Sequence, residues 1–256
     1  MIVTSLFPFA LQHDVKDHTV EAVLHYDGAP DTEPITERMK CTPDSPCHVL
    51  NCPFKYFPAQ YNLHCILASE MKNRDRSDIT PEWASDSEEY FLNFAFPGQQ
   101  VTPGSVNGRK FEFPGVNTLF QTEQLDDFDC DNADCGDDKV CYCHYQIVVP
   151  YNRTIQMVWL NLGSGSGWAH PIHLHGHSFY LIKMEFPPQN NMTGLMDGHT
   201  EDIDCGGGLN FCNSARWKSS HWENGNVPGL NLIDPPRKDT VIIPSGGYAV
   251  SNTSLH

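Results

Sequence analysis

From Tyr90 onward the apolar residues of this chain come in short runs, each closed by turn-forming residues. That punctuation commits the chain to β-structure. The runs are Tyr-Phe-Leu-Asn-Phe-Ala-Phe from Tyr90, Arg-Lys-Phe-Glu-Phe from Arg109, and a stretch from Cys141 to the Gln-Ile-Val-Val ending at Val149. Thr-Ile-Gln-Met-Val-Trp-Leu-Asn-Leu from Thr154 and Ser-Phe-Tyr-Leu-Ile-Lys-Met from Ser178 follow. Each is about the length of a strand and too short for a typical helix, and strands so spaced point to a sandwich of two packed sheets. Gly163-Ser-Gly-Ser-Gly167 reads as the loop that delivers the chain to the stretch between the last two runs.

That stretch is Trp168-Ala-His-Pro-Ile-His-Leu-His-Gly-His-Ser-Phe179, with histidines at 170, 173, 175 and 177. Neutral imidazole is the commonest side-chain metal ligand. In an extended chain, residues two apart share a face, so His173 and His175 project together while Leu174 turns to the core. Pro171 excludes helix at the residue before it and places His170 at a bend, pointing elsewhere. Gly176 allows a kink that takes His177 off the shared face. A chance surface pair, a nonspecific metal scavenger or a zinc site are the competing readings of these residues alone.

The full form, His-Pro-x-His-Leu-His-Gly-His, resembles the first copper-binding motif of the last cupredoxin domain in the multicopper oxidases, the laccase family. The resemblance implies an all-β, cupredoxin-like (plastocyanin-like) Greek-key β-sandwich. It also implies that His170 binds a mononuclear blue copper and that His173 and His175 bind a trinuclear copper cluster. His177 matches a position the family does not use as a ligand. Two cysteine patterns, Cys-x5-Cys-x4-Cys-Pro-Phe from Cys41 and Cys-Gly-Asp-x-x-x-Cys-x-Cys-His from Cys135, look like those of animal laccases. The stretch Pro235–Val250 resembles the family's next strand pair. After Val250 the sequence departs from the pattern, and only three of the family's histidine and cysteine ligands have counterparts here. The expectation is a partial chain, incomplete at both ends. Residues 1–40 would close a preceding cupredoxin domain, 41–87 would be a cysteine-rich connector, and 88–256 a truncated C-terminal cupredoxin domain.

The implied activity of the complete protein is one-electron oxidation of phenols or diphenols, coupled to reduction of dioxygen to water. This chain alone is expected to be inactive, because a blue site needs a thiolate with two imidazoles. The alternative is a non-catalytic copper-binding or interaction fragment.

Charge and cysteine usage bound the setting. The chain carries 32 acidic against 16 basic side chains, a formal charge of −16, which argues against nucleic acid or an anionic membrane as partner. No apolar run is long enough to cross a bilayer. Ten cysteines fall in even groups, at 41, 47, 52 and 65, at 130, 135, 141 and 143, and at 205 and 212. Such grouping predicts disulfides and an oxidising, extracellular compartment, although Met1–Ala10 makes no convincing signal peptide. Sequons at Asn152, Asn191 and Asn252 are compatible with secretion.

The remaining motifs read as structural. The acidic loop Asp126–Asp138 lacks the glycine and glutamate of a calcium loop. Cys141-Tyr-Cys143-His144 is spaced too tightly for a zinc knuckle. His13, His18 and His25 read as ordinary polar positions. Residues 185–236 form a long loop, closed by Cys205 and Cys212, in which Trp217, His221 and Trp222 either line a substrate entrance or pack the loop onto the sandwich.

Overall fold

The fold was obtained as a computed structural model. It describes residues 2–6, 19–23, 25–33, 35, 40–50, 52, 55–75, 87–95, 104–128, 130, 140–162, 169–190, 198–206, 212–223 and 225–254. The expectations for His13, His18, Asn191, the 163–167 loop and most of the acidic loop lie outside these residues.

Sixteen strands are described. They are β1 (Ile2–Leu6), β2 (Thr19–Val23), β3 (Cys47–Leu50), β4 (Leu63–Ile66), β5 (Glu88–Ala95), β6 (Ser105–Val106), β7 (Arg109–Phe111) and β8 (Cys141–Cys143). Then follow β9 (Thr154–Leu160), β10 (His170–His173), β11 (Phe179–Glu185), β12 (Ile203–Asp204), β13 (Arg216–Trp217), β14 (Arg237–Lys238), β15 (Thr240–Ile243) and β16 (Tyr248–Ser254). The main sheet has eight strands in the order β14-β11-β16-β9-β5-β6-β7-β8. A separate antiparallel pair, β10 with β15, forms a second layer. The result is an all-β, cupredoxin-like sandwich.

Strand β9 lies at the centre because both of its faces are apolar. Ile155, Met157 and Trp159 point to one side, where they meet Leu92, Phe179 and Leu181 and, from the second layer, Val241, Ile243, Ile172 and Leu174. Val158 and Leu160 point to the other, against Ile182, Tyr248, Val250, Trp217 and Val227. A strand buried on both faces reads as a nearly continuous apolar run, which is how Thr154–Leu162 reads.

The long segment after β11 is fixed from below by Trp217. Its indole is 3 % exposed and meets Phe91, Trp222 and Tyr248 edge-on. Its Nε1–H donates to Glu89 Oε1 at 2.9 Å. Trp217 therefore packs the loop onto the sandwich, and the Cys205–Cys212 disulfide closes the segment as expected.

Glu89 also accepts from Gln156 Nε2 at 2.6 Å. Burial pushes its carboxyl above the ordinary 4.5, the two hydrogen bonds pull it partly back, and the charge of Glu223 adds to the rise. The folded state therefore holds this proton to higher pH than the unfolded chain. The stability it contributes is full below the unfolded value of about 4.5 and is lost as pH rises through the raised folded value. Urea unfolding of Glu89→Gln across that window is expected to show a flatter pH dependence than the parent; parallel curves would contradict the assignment.

Three sequence expectations change. Gln146–Val149 is not a strand: β8 covers only Cys141–Cys143, and Val148 is 84 % exposed. The cysteine-rich stretch, read only as a connector, holds the parallel pair β3 and β4, stapled by Cys41–Cys47 and Cys52–Cys65. Asn252 is fully buried in β16, so its sequon is closed to glycosylation in the folded chain, whereas Asn152 is exposed. Cys143 pairs with Cys130, and among the described residues no cysteine is free, which removes the zinc reading of Cys141–His144.

Candidate metal centre

Strand β10 carries the histidine motif and pairs antiparallel with β15, His170 opposite Ile243 and His173 opposite Thr240. Ile172 and Leu174 pack into the core beneath. With that register set, strand alternation sends His173 outward, and His175, in the turn just beyond β10, stands beside it; both are exposed. Their ring centroids lie 5.0 Å apart. His170 has the parity of Ile172 and sits half-buried on the opposite side of the strand. His177 is exposed beyond Gly176, whose φ of +74° makes the turn at the end of the motif.

His173 is held in a defined tautomer. Its Nδ1 lies 2.8 Å from the Asp239 carbonyl oxygen and 3.0 Å from Thr240 Oγ1. A carbonyl only accepts, so Nδ1 carries a proton, and in the neutral ring the lone pair is on Nε2. The same carbonyl accepts the Leu174 N–H at 3.0 Å, which locks the backbone beside the ring. A histidine whose one nitrogen donates to a carbonyl while the other is unprotonated is the arrangement seen around bound transition metals. Burial keeps the His170 imidazole below the usual histidine range, which favours the neutral ring.

The donor chemistry therefore fits copper, with a limit. Among the described residues no group of three or more His, Cys, Asp or Glu side chains is placed to hold one ion. His173 and His175 form a two-imidazole pair, and His170 belongs to a separate location across the strand. Sequence reasoning separated these two locations but put His170 at a bend before Pro171; both residues instead lie in β10, and the odd spacing from His170 to His173 turns the two rings to opposite faces.

Beside the pair lies an open cleft of about 560 Å³, lined by Leu92, Phe94, Met157, Trp159, Ile172 and Leu174 with Arg109 and His173. Its walls are the uncovered part of the core face between β10 and the β5–β7 edge, which the sequence had no signal to announce. Among the described residues no helix is long and apolar enough to cross a membrane.

The multicopper oxidase family model matches residues 113–254, more than half of the chain. Laccase-24 of Oryza sativa subsp. japonica is 28% identical over 123 residues, covering 46% of this chain and 16% of that protein. Laccase-4 of Thanatephorus cucumeris is 28% identical over 168 residues, covering 64% of this chain and 25% of the other. The crystal structure of a laccase from Botrytis aclada aligns with a TM-score of 0.44 and 15% identity, over 94% of this chain and 32% of that one. The chain thus spans a quarter or less of the length of these two curated relatives.

Proposed function

Because the chain belongs to the multicopper oxidase family, we propose that it contributes copper ligands to a laccase-like oxidoreductase. In this reading His173 and His175 hold copper of a trinuclear cluster and His170 holds a mononuclear blue copper. When bound, copper supplies one-electron chemistry, by which four electrons from phenols or diphenols reduce dioxygen to water. The work of this chain is to hold and orient. The Asp239 carbonyl fixes the His173 ring, and the β10–β15 pair sets where His175 stands beside it. Residues 1–40, 41–87 and 88–256 act, in the same reading, as the end of one cupredoxin domain, a connector and a C-terminal cupredoxin domain. The disulfides suit an extracellular setting, and Asn152 is an exposed sequon.

The observation that carries this reading is the His173–His175 pair, with one ring locked in the metal-ready tautomer. A second reading, copper binding without turnover by these residues alone, is favoured by the cysteines. All those described are disulfide-bonded, so none offers the thiolate a blue site requires.

Copper(II) titration followed by paramagnetic broadening of backbone amides tests both. Broadening is expected at His173 and His175, and either alanine substitution is expected to weaken that site about a hundredfold, because the second imidazole then no longer acts intramolecularly. Unchanged affinity in both variants would sink the copper assignment. The copper-loaded chain is expected to lack intense blue thiolate absorption and phenol oxidation; finding both would overturn the second reading.

A further inference from the structure

A second pair of imidazoles stands in the cysteine-rich stretch, far from the family motif in sequence. Strands β3 and β4 run parallel with His48 directly opposite His64. Both side chains are exposed, and their ring centroids lie 5.3 Å apart with the planes at 82°. The neighbours of each histidine are the anchored positions. Cys47 is bonded to Cys41, and Cys65 is bonded to Cys52, just beyond the end of β3. The Cys47 N–H donates to the Asn62 carbonyl at 3.0 Å, and Asn62 Nδ2 donates to the Cys41 carbonyl at 3.3 Å.

This arrangement has the physical ingredients of a chelate. Directly paired residues on adjacent strands hold their side chains on one face at short range. Two disulfides and the strand pairing remove the backbone freedom that would let the rings separate. The ordering cost of bringing two imidazoles to one ion has therefore largely been met by folding, so the second ligand binds at high effective concentration. We infer that His48 and His64 form a divalent transition-metal site, with the two imidazoles as protein ligands and water completing the shell. Copper(II) binds it most tightly, nickel(II) and zinc(II) more weakly, as expected for nitrogen ligands. The site is independent of the His170–His175 motif and of the oxidase reading.

The test uses the full chain carrying His173→Ala and His175→Ala, so that the first pair contributes nothing. Copper(II) and nickel(II) are titrated while backbone amide and imidazole resonances are followed. The expected result is one bound equivalent, with broadening that begins at Cys47–Leu50 and Leu63–Ile66. His48→Gln or His64→Gln is expected to lower the affinity about a hundredfold, while His25→Gln leaves it unchanged. Copper is expected to bind more tightly than nickel. Absence of a bound equivalent, broadening centred elsewhere, or equal affinity after either substitution would overturn the site and leave an edge-to-face ring contact only. The parent titration localises the ion even if a glutamine variant fails to fold. Because the background lacks His173 and His175, failure here leaves the family copper pair untouched.

Discussion

Trp217→Ala is expected to lower the unfolding free energy by about 3–5 kcal/mol, the range for emptying a buried large aromatic site. The indole is the bolt between the segment after β11 and the lower face of the main sheet. Its removal empties a space lined by Phe91, Trp222 and Tyr248 and takes away a donor from the partly buried Glu89. For a chain of this size the melting temperature should fall about 2–4 °C for each kcal/mol lost. Trp217→Phe keeps one aromatic ring in the site but loses part of the indole together with its N–H. Its cost should be smaller than that of Trp217→Ala, about 1–3 kcal/mol. Trp217 lies across the main sheet from the core that supports β10, so well below the melting temperature the copper affinity of His173 and His175 should change little. Denaturant unfolding with a copper titration at low temperature checks both parts. A small stability change, or a copper site lost together with the loop, would contradict the layered account.

Alanine at Gly246 or Gly247 should act on the other layer. Pro244 to Gly247 form the turn between β15 and β16, closed by the Gly247 N–H donating to the Pro244 carbonyl at 3.0 Å. Gly246 has φ +68°, the positive value that the third position of a type II turn demands. A Cβ there would stand 2.5 Å from the Gly198 carbonyl oxygen, and one at Gly247 would sit on the Glu185 carbonyl. Gly246→Ala therefore combines a left-handed backbone cost of about 1–2 kcal/mol with about 1–3 kcal/mol of crowding. The nearest crowding partners are backbone atoms, so the turn itself must shift, and with it the end of β15 that it closes. Moving β15 moves Asp239 and Thr240, the groups that hold the His173 ring, so copper affinity should fall along with stability. Gly28→Ala is the control. Its φ is +78° but nothing lies within 4 Å of the added carbon, so only the backbone cost of about 1–2 kcal/mol should remain. Equal losses at Gly28 and Gly246 would show that crowding at the turn contributes nothing.

The sequence was legible where the information is local. The outward pairing of His173 and His175 and the inward turn of Leu174 follow the period of two read from the sequence; so does the separation of His170, which lies in strand β10 and not at the bend expected before Pro171. The two-sided burial of β9 was present in its nearly continuous apolar run, broken only by Gln156. Polar residues misled more. After Val250 the sequence turns to Ser-Asn-Thr-Ser, where a departure from the family pattern was expected, yet the family match runs to residue 254 and β16 continues to Ser254 in register with Thr154. It does so because Ser251 Oγ accepts the Trp159 Nε1–H at 2.7 Å and Thr253 Oγ1 donates to the Ser178 carbonyl at 2.9 Å. Those partners are distant in the chain, and no window on the sequence contains both.

Alternation, turn chemistry and the histidine motif were thus determined by the residues themselves, since backbone geometry converts neighbouring positions into faces without outside help. Which faces meet was not. The opposition of His48 to His64, the disulfide partners, the tautomer of His173 and the burial of Glu89 each depend on segments separated in sequence. Such distances come from strand register and layer packing, set by the burial of the whole chain, and only the tertiary structure decided them.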